Sequence, residues 1–167
     1  NRLIDDEPVG VISAGDFWHT DLSFGEVPCR ATFLYALEVA REGGDTEWSN
    51  IHTAYDALSD DTKERIAELR CIHVFDRRRN RRIKVDTQFV DKADEIYGVS
   101  LPDAVHPMVR HHPETGRKSL YISPRFVVGI EGIDDDEAQH LLDELFEHHI
   151  RPEFRYRHRW RRGDLLM

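Results

Sequence analysis

The longest nearly continuous apolar stretch in the chain is ATFLYALEVA at residues 31–40, and the other strand-like runs are shorter and closed by Gly, Pro or charge. Short apolar runs cut by turn residues build strands, whereas a membrane-spanning helix needs about 20 consecutive apolar residues. Residues 31–40 carry aromatic and β-branched members and suit a strand buried on both faces, followed by a Gly43-Gly44-Asp45 turn and a short strand at 46–48. Residues 71–75 read as another short strand. Residues 104–109 and 119–123 flank His111-His112-Pro113-Glu114-Thr115-Gly116 and read as the arms of a hairpin. Residues 154–160 alternate aromatic with Arg or His, as a half-exposed strand does, and 164–167 begin one more. Near the start, only Val9, Val11 and Ile12 suggest a strand.

Helical spacing occurs in two places. Ile51, Ala54, Tyr55 and Leu58, then Ile66 and Leu69, are interrupted by Ser59-Asp60-Asp61, which has the residues of an N-cap for a second helix. Residues 134–150 are the clearest helix: Ala138, Leu141, Leu142, Leu145 and Phe146 recur at helical spacing, Asp134 caps, Glu137 sits three residues on, and Pro152 stops the run. Many short strands with about three helices in no regular alternation favour a mainly β fold, a sandwich or jelly-roll core with helices packed outside.

The 167 residues carry 23 Lys plus Arg against 32 Asp plus Glu, a net charge of -9. One domain is the expectation at this length. The acidic balance argues against a nucleic-acid partner, because phosphate backbones are bound through excess Lys and Arg. The local exception is the arginine-rich run 77–82, which reads either as a patch drawing an anionic substrate or as a solvated loop paired with acids such as Asp76 and Asp86. Residues 89–101 read as a loop or lid. Cys29 and Cys71 form neither a CxxC pair nor a disulfide framework, and both are expected to be buried thiols in a reducing, cytoplasmic setting. Neither a membrane span nor a signal peptide is visible. The chain starts at Asn1 and stops at Met167 in mid-pattern, so a piece of a longer protein is expected, incomplete at the C-terminus and at the N-terminus.

Trp18-His19-Thr20-Asp21 places a His and an Asp two residues apart. On an extended segment both side chains leave the same face and can converge on one cation, and such a pair supplies two ligands of the 2-His-1-carboxylate triad that holds non-haem Fe(II). Alone the signal is weak, since a surface turn or a hydrogen-bonded His–Asp pair uses the same residues. His158, flanked by Arg155, Arg157 and Arg159, reads as an inter-strand group rather than a third ligand, and His111, His112, His148 and His149 read as turn and helix residues. Trp18, Trp48 and Trp160 read as core.

The block WHTDLSF at 18–24, followed by GGDT at 43–46, HPMVR at 106–110, Tyr121-Ile122-Ser123 and YRHRWRRGDLLM at 156–167, covers most of the chain. In that order it resembles the Fe(II)/2-oxoglutarate-dependent dioxygenases of the taurine dioxygenase and 2,4-dichlorophenoxyacetate dioxygenase family, and the last block is most similar to the herbicide-degrading branch. The resemblance implies a double-stranded β-helix, a clavaminate synthase-like jelly-roll with flanking helices. It also implies Fe(II) as metal, and 2-oxoglutarate and O2 as cosubstrates. His19 and Asp21 correspond to iron ligands, and Thr46 to the hydroxyl that hydrogen-bonds the distal carboxylate of 2-oxoglutarate. The family's second histidine belongs to a Trp-Asp-Asn-Arg-x-x-x-His motif expected to begin directly after Met167, with the cosubstrate-binding arginine further on.

In the implied reaction 2-oxoglutarate binds iron through its keto oxygen and adjacent carboxylate, is oxidised to succinate and CO2, and a substrate carbon is hydroxylated. Leu22, Phe75 and Phe126 fall where relatives line the substrate pocket; core packing is the alternative for each. Gly15 stands where sulfonate-using members carry Asn, a departure that points away from taurine itself. The substrate class implied is a small anionic organic acid bearing a sulfonate, sulfate ester, carboxylate or aryloxy group, and the implied assembly is a homodimer or tetramer. Two rivals follow from the same residues: a jelly-roll binding protein that has lost its iron, and a different cupin-like metal enzyme such as a zinc hydrolase.

Overall fold

The computed structural model describes residues 2–4, 7–9, 17–75, 79–80 and 102–167. Near the start, β1 (Arg2–Ile4) pairs antiparallel with β2 (Glu7–Val9). Val11, Ile12, Gly15, the 89–101 loop, and all of the arginine run except Arg79 and Asn80 lie outside the described residues. Arg79 grips both carboxylate oxygens of Asp103, one at 2.8 Å.

The centre is a three-stranded antiparallel sheet in the order β6 (Ala104–Pro107), β5 (Arg70–His73), β9 (Val127–Ile130). Helix α1 (Ile51–Asp56) and α2 (Asp60–Ile66) precede it, and α3 (Asp135–His149) follows. Each begins on the cap its sequence offers: Asn50 accepts from the amides of His52 and Thr53, Ser59 from that of Thr62, and Asp134 from that of Asp136. The periodic face of α3 (Leu141, Leu142, Leu145) is buried with Ile66, Val127 and Ile130 in one core. Complete burial pushes the Cys71 thiol up to about 12, which keeps it neutral.

Three sequence expectations are corrected. Residues 31–40 are not a strand buried on both faces: only β3 (Leu34–Tyr35) is extended, it pairs on one edge with β11 (Leu165–Leu166), and Tyr35 and Leu37 are 60% and 70% exposed. Apolar composition sets a strand tendency, whereas burial needs a covering layer, and none of the described residues supplies one here. Cys29 is exposed, because it lies on the irregular approach to that segment, where its Sγ–H donates to the Ala31 carbonyl at 3.0 Å. The 104–123 stretch splits: Ala104–Pro107 joins β5, and the hairpin proper is β7 (Val109–His111) with β8 (Lys118–Leu120), closed over Gly116 at φ 68°.

A last pair joins β4 (Thr46–Ser49) to β10 (Arg155–His158), which leaves a 3-10 turn at Pro152–Phe154. The register sets Thr46 opposite His158 and Trp48 opposite Tyr156. Trp18, Trp48 and Trp160 are half-buried at the margins rather than in the core. Gly43 and Gly44, both at positive φ, turn the chain into β4.

Candidate functional site

The HTD segment is irregular backbone that breaks into a turn at Asp21, closed by Ser23 N–H donating to the Thr20 carbonyl at 3.3 Å and Gly25 N–H to the Leu22 carbonyl at 3.0 Å. Leu22 takes φ 54°, the left-handed region that costs a branched side chain roughly 1 kcal/mol or more, and its side chain is left exposed. The segment is tied to the fold from three sides. Arg125 N–H donates to the Trp18 carbonyl at 3.2 Å, Thr20 N–H to Ser123 Oγ at 3.4 Å, and the buried His106 ring, through Nε2, to the Gly25 carbonyl at 2.9 Å.

His19 Nδ1 lies 2.8 Å from the Phe17 carbonyl, so the network assigns the proton to Nδ1 and turns Nε2 toward Asp21. Nε2 stands 3.1 Å from Asp21 Oδ1. Two lone-pair-bearing atoms face one another there, an arrangement that needs a positive particle between them: a second ring proton, or a metal cation. Cis ligands about 2.1 Å from one cation stand about 3 Å apart, so the observed spacing fits a shared metal. The other oxygen, Asp21 Oδ2, accepts from Thr32 Oγ–H at 2.8 Å. Among the described residues no group of three or more His, Cys, Asp or Glu converges, so these residues offer a two-ligand start.

Beside the pair stands an aromatic wall. Phe126 meets His19 edge-on with centroids 6.1 Å apart, and Phe24 lies 4.9 Å from both Phe126 and Phe75. Phe126 thus stands against His19 directly and Phe75 joins it through Phe24, which has no role in the sequence analysis although it ends the WHTDLSF block. The buried Arg125 guanidinium covers Phe126 at 4.6 Å and donates to the Phe75 carbonyl at 3.2 Å.

Thr46 sits in a separate network. Trp160 Nε1–H donates to its Oγ1 at 2.9 Å, and His158, opposite Thr46 in the register, bonds Asp164 at 2.9 Å. Backbone donation from Arg161, then the His158 contact, holds the Asp164 carboxyl below its usual range. With the indole occupying one lone pair, the Thr46 hydroxyl proton is available to an outside acceptor. Among the described residues no hydrogen bond joins Thr46 to the His19–Asp21 pair.

Behind the HTD turn, the rings of His73, His106 and Tyr121 form a buried triangle with centroids 5.2 to 5.6 Å apart. Burial, reinforced by His106 and Arg110, pushes His73 down to about 3, so it is a neutral ring, and burial raises the Tyr121 hydroxyl. Both His73 nitrogens lack hydrogen-bond partners among the described residues.

Residues 4–167 match a protein family described as Taurine catabolism dioxygenase TauD, TfdA family. The chain belongs to that family. It is 38% identical over 154 residues to the alpha-ketoglutarate-dependent 2,4-dichlorophenoxyacetate dioxygenase of Cupriavidus pinatubonensis, covering 92% of this chain and 51% of that one. It is 31% identical over 173 residues to pentalenolactone F synthase of Streptomyces arenae, covering all of this chain and 58% of the relative. Among solved structures, AAD-2 in complex with Mn(II) and N-oxalylglycine superposes with a TM-score of 0.75 at 36% identity, over 89% of this chain and 56% of that one. This TauD/TfdA member thus spans about half the length of the curated relatives it matches.

Within the TauD/TfdA member, two first contacts of the site carry little sequence signal. Thr32 lies eleven residues beyond Asp21 in no recognisable pattern, and Trp160 reaches Thr46 across a separation of 114 residues. Phe24 and Trp160 each had one pointer, a place in a motif block.

Proposed function

We propose that the whole protein is an Fe(II)/2-oxoglutarate-dependent dioxygenase and that these residues form one side of its jelly-roll domain. The observation that carries the reading is the 3.1 Å approach of His19 Nε2 to Asp21 Oδ1, with the tautomer set by Phe17 and the second oxygen set by Thr32. His19 and Asp21 would hold the metal together with a histidine outside these 167 residues. Bound Fe(II) supplies the redox chemistry that couples decarboxylation of 2-oxoglutarate, to succinate and CO2, with hydroxylation of a substrate by O2.

The chain's own residues have separate tasks. Thr46, oriented by Trp160, donates its hydroxyl proton to the distal carboxylate of 2-oxoglutarate. Phe24, Phe75 and Phe126 give the substrate an apolar wall beside His19 and exclude water from it, and Leu22 flanks the entrance from the strained turn. The substrate class is a small organic acid with an aryloxyalkanoate, sulfate ester or sulfonate group, and the name of the Cupriavidus relative favours the first of these. A cytoplasmic homo-oligomer completes the proposal; no described helix is long and apolar enough to cross a membrane.

The test is a substrate screen on the iron-loaded whole protein, read by succinate release, across aryloxyalkanoates, alkyl sulfates and sulfonates. One class is expected to raise succinate release well above the substrate-free rate; indifference to all three would overturn the substrate class. Thr46→Ala removes one hydrogen bond to a charged group, worth about 1.5 to 3 kcal/mol, and should raise the 2-oxoglutarate KM roughly 10- to 100-fold. An unchanged KM would remove Thr46 from the cosubstrate site.

A further inference from the structure

The carboxylate of Asp21 is divided between two partners. Oδ1 faces His19 Nε2 at 3.1 Å, while Oδ2 accepts from Thr32 Oγ–H at 2.8 Å. The Thr32 proton goes to this bond because a carboxylate oxygen can only accept and is the nearer and stronger acceptor; the other neighbour of the hydroxyl, Cys29 Sγ, is at 4.0 Å. A carboxylate with both oxygens free can chelate a cation through both. One whose second oxygen is held by a charge-assisted hydrogen bond presents a single oxygen.

We infer that Thr32 is a positioning residue that keeps Asp21 a one-oxygen ligand, and so preserves a coordination position that 2-oxoglutarate and O2 need. This rests on the iron-site reading above. With three protein ligands a six-coordinate cation has three open positions, two for the cosubstrate chelate and one for O2. A chelating Asp21 would occupy one of them. The hydroxyl acts from the next loop, at an exposed position whose replacement leaves the core untouched.

The test uses the whole protein with Co(II) as a spectroscopic probe. It follows Co(II) binding, and then 2-oxoglutarate binding to the Co(II)-loaded form, without turnover. Thr32→Val should retain Co(II) but bind 2-oxoglutarate about tenfold or more weakly, with a smaller change in the Co(II) visible spectrum; Thr32→Ser, which keeps the donor, should restore both. An unchanged 2-oxoglutarate affinity in Thr32→Val overturns the inference. Loss of Co(II) itself from that variant overturns it too, since a freed second oxygen would strengthen capture of the cation. His19→Ala separates the two readings: if it binds Co(II) as the parent does, the metal site itself is wrong and the Thr32 role falls with it, whereas loss of Co(II) in His19→Ala with a silent Thr32→Val condemns Thr32 alone.

Discussion

His19→Ala and Asp21→Ala in the whole protein are each expected to lose iron binding and iron-dependent succinate release together, by more than two orders of magnitude. The size follows from comparison: removing an outer partner of a metal ligand typically costs about 10- to 100-fold in affinity or in activity, and these variants remove ligand atoms themselves. Without Asp21, the dication loses its carboxylate and Thr32 faces a methyl group. Without His19, Asp21 Oδ1 loses the atom it stands 3.1 Å from. The two side chains are 33% and 44% exposed, so neither truncation opens a core cavity, and unfolding free energies should stay within about 0.5 kcal/mol of the parent. Metal titration and succinate assay on both variants check this. Retention of either property in both variants would remove the pair from the site.

The second large effect is on stability in acid. His73 is neutral in the folded protein because burial, His106 and Arg110 hold it down at about 3, whereas an unfolded histidine titrates near 6.5. Between those values the unfolded chain binds the extra proton, so stability rises with pH and is lost as pH falls below about 6.5, at about 1.4 kcal/mol per pH unit. From pH 7.5 to 5.0 the His73 contribution alone falls by about 2 kcal/mol. His149, buried on α3 and likewise lowered chiefly by burial, adds a loss of the same sign.

His73→Leu removes the titrating ring, along with two nitrogens that have no described partner. Denaturant unfolding at the two pH values should show the variant losing less stability than the parent by about 2 kcal/mol. Equal losses in parent and variant would show that His73 does not carry the acid sensitivity. His106 shares this cluster and hydrogen-bonds Gly25, which ties the cluster to the turn that carries His19 and Asp21.

Local patterns were legible in the sequence where a few neighbouring residues decide the outcome. The Asp134 cap with Ala138, Leu141, Leu142 and Leu145 locates α3 almost to the residue, Ser59 starts α2, and Gly43-Gly44 turns the chain before β4. The HTD spacing pointed to two side chains that do meet, although through a turn with Leu22 at positive φ rather than along an extended strand.

What stayed hidden depends on distant parts of the chain. The composition of residues 31–40 cannot say which layer covers them, and Cys29 follows that exposed segment rather than its own burial tendency. The 104–123 stretch looked like one hairpin because strand pattern does not name a partner, and Ala104–Pro107 takes β5 instead. Thr32 could not be picked out beforehand, and Trp160 stood in a motif block without its pairing to Thr46, since a hydroxyl or an indole becomes a site residue only through its partner's position in space.

The most direct measurement is consumption of 2-oxoglutarate by the purified whole protein, with Fe(II), O2 and candidate substrate each supplied or withheld. One succinate and one CO2 are expected per 2-oxoglutarate, only with iron and O2 present, and faster with a matching substrate. Substrate breakdown without 2-oxoglutarate, as in a zinc hydrolase, or no iron bound and 2-oxoglutarate left untouched, as in a jelly-roll that has lost its iron, would contradict it.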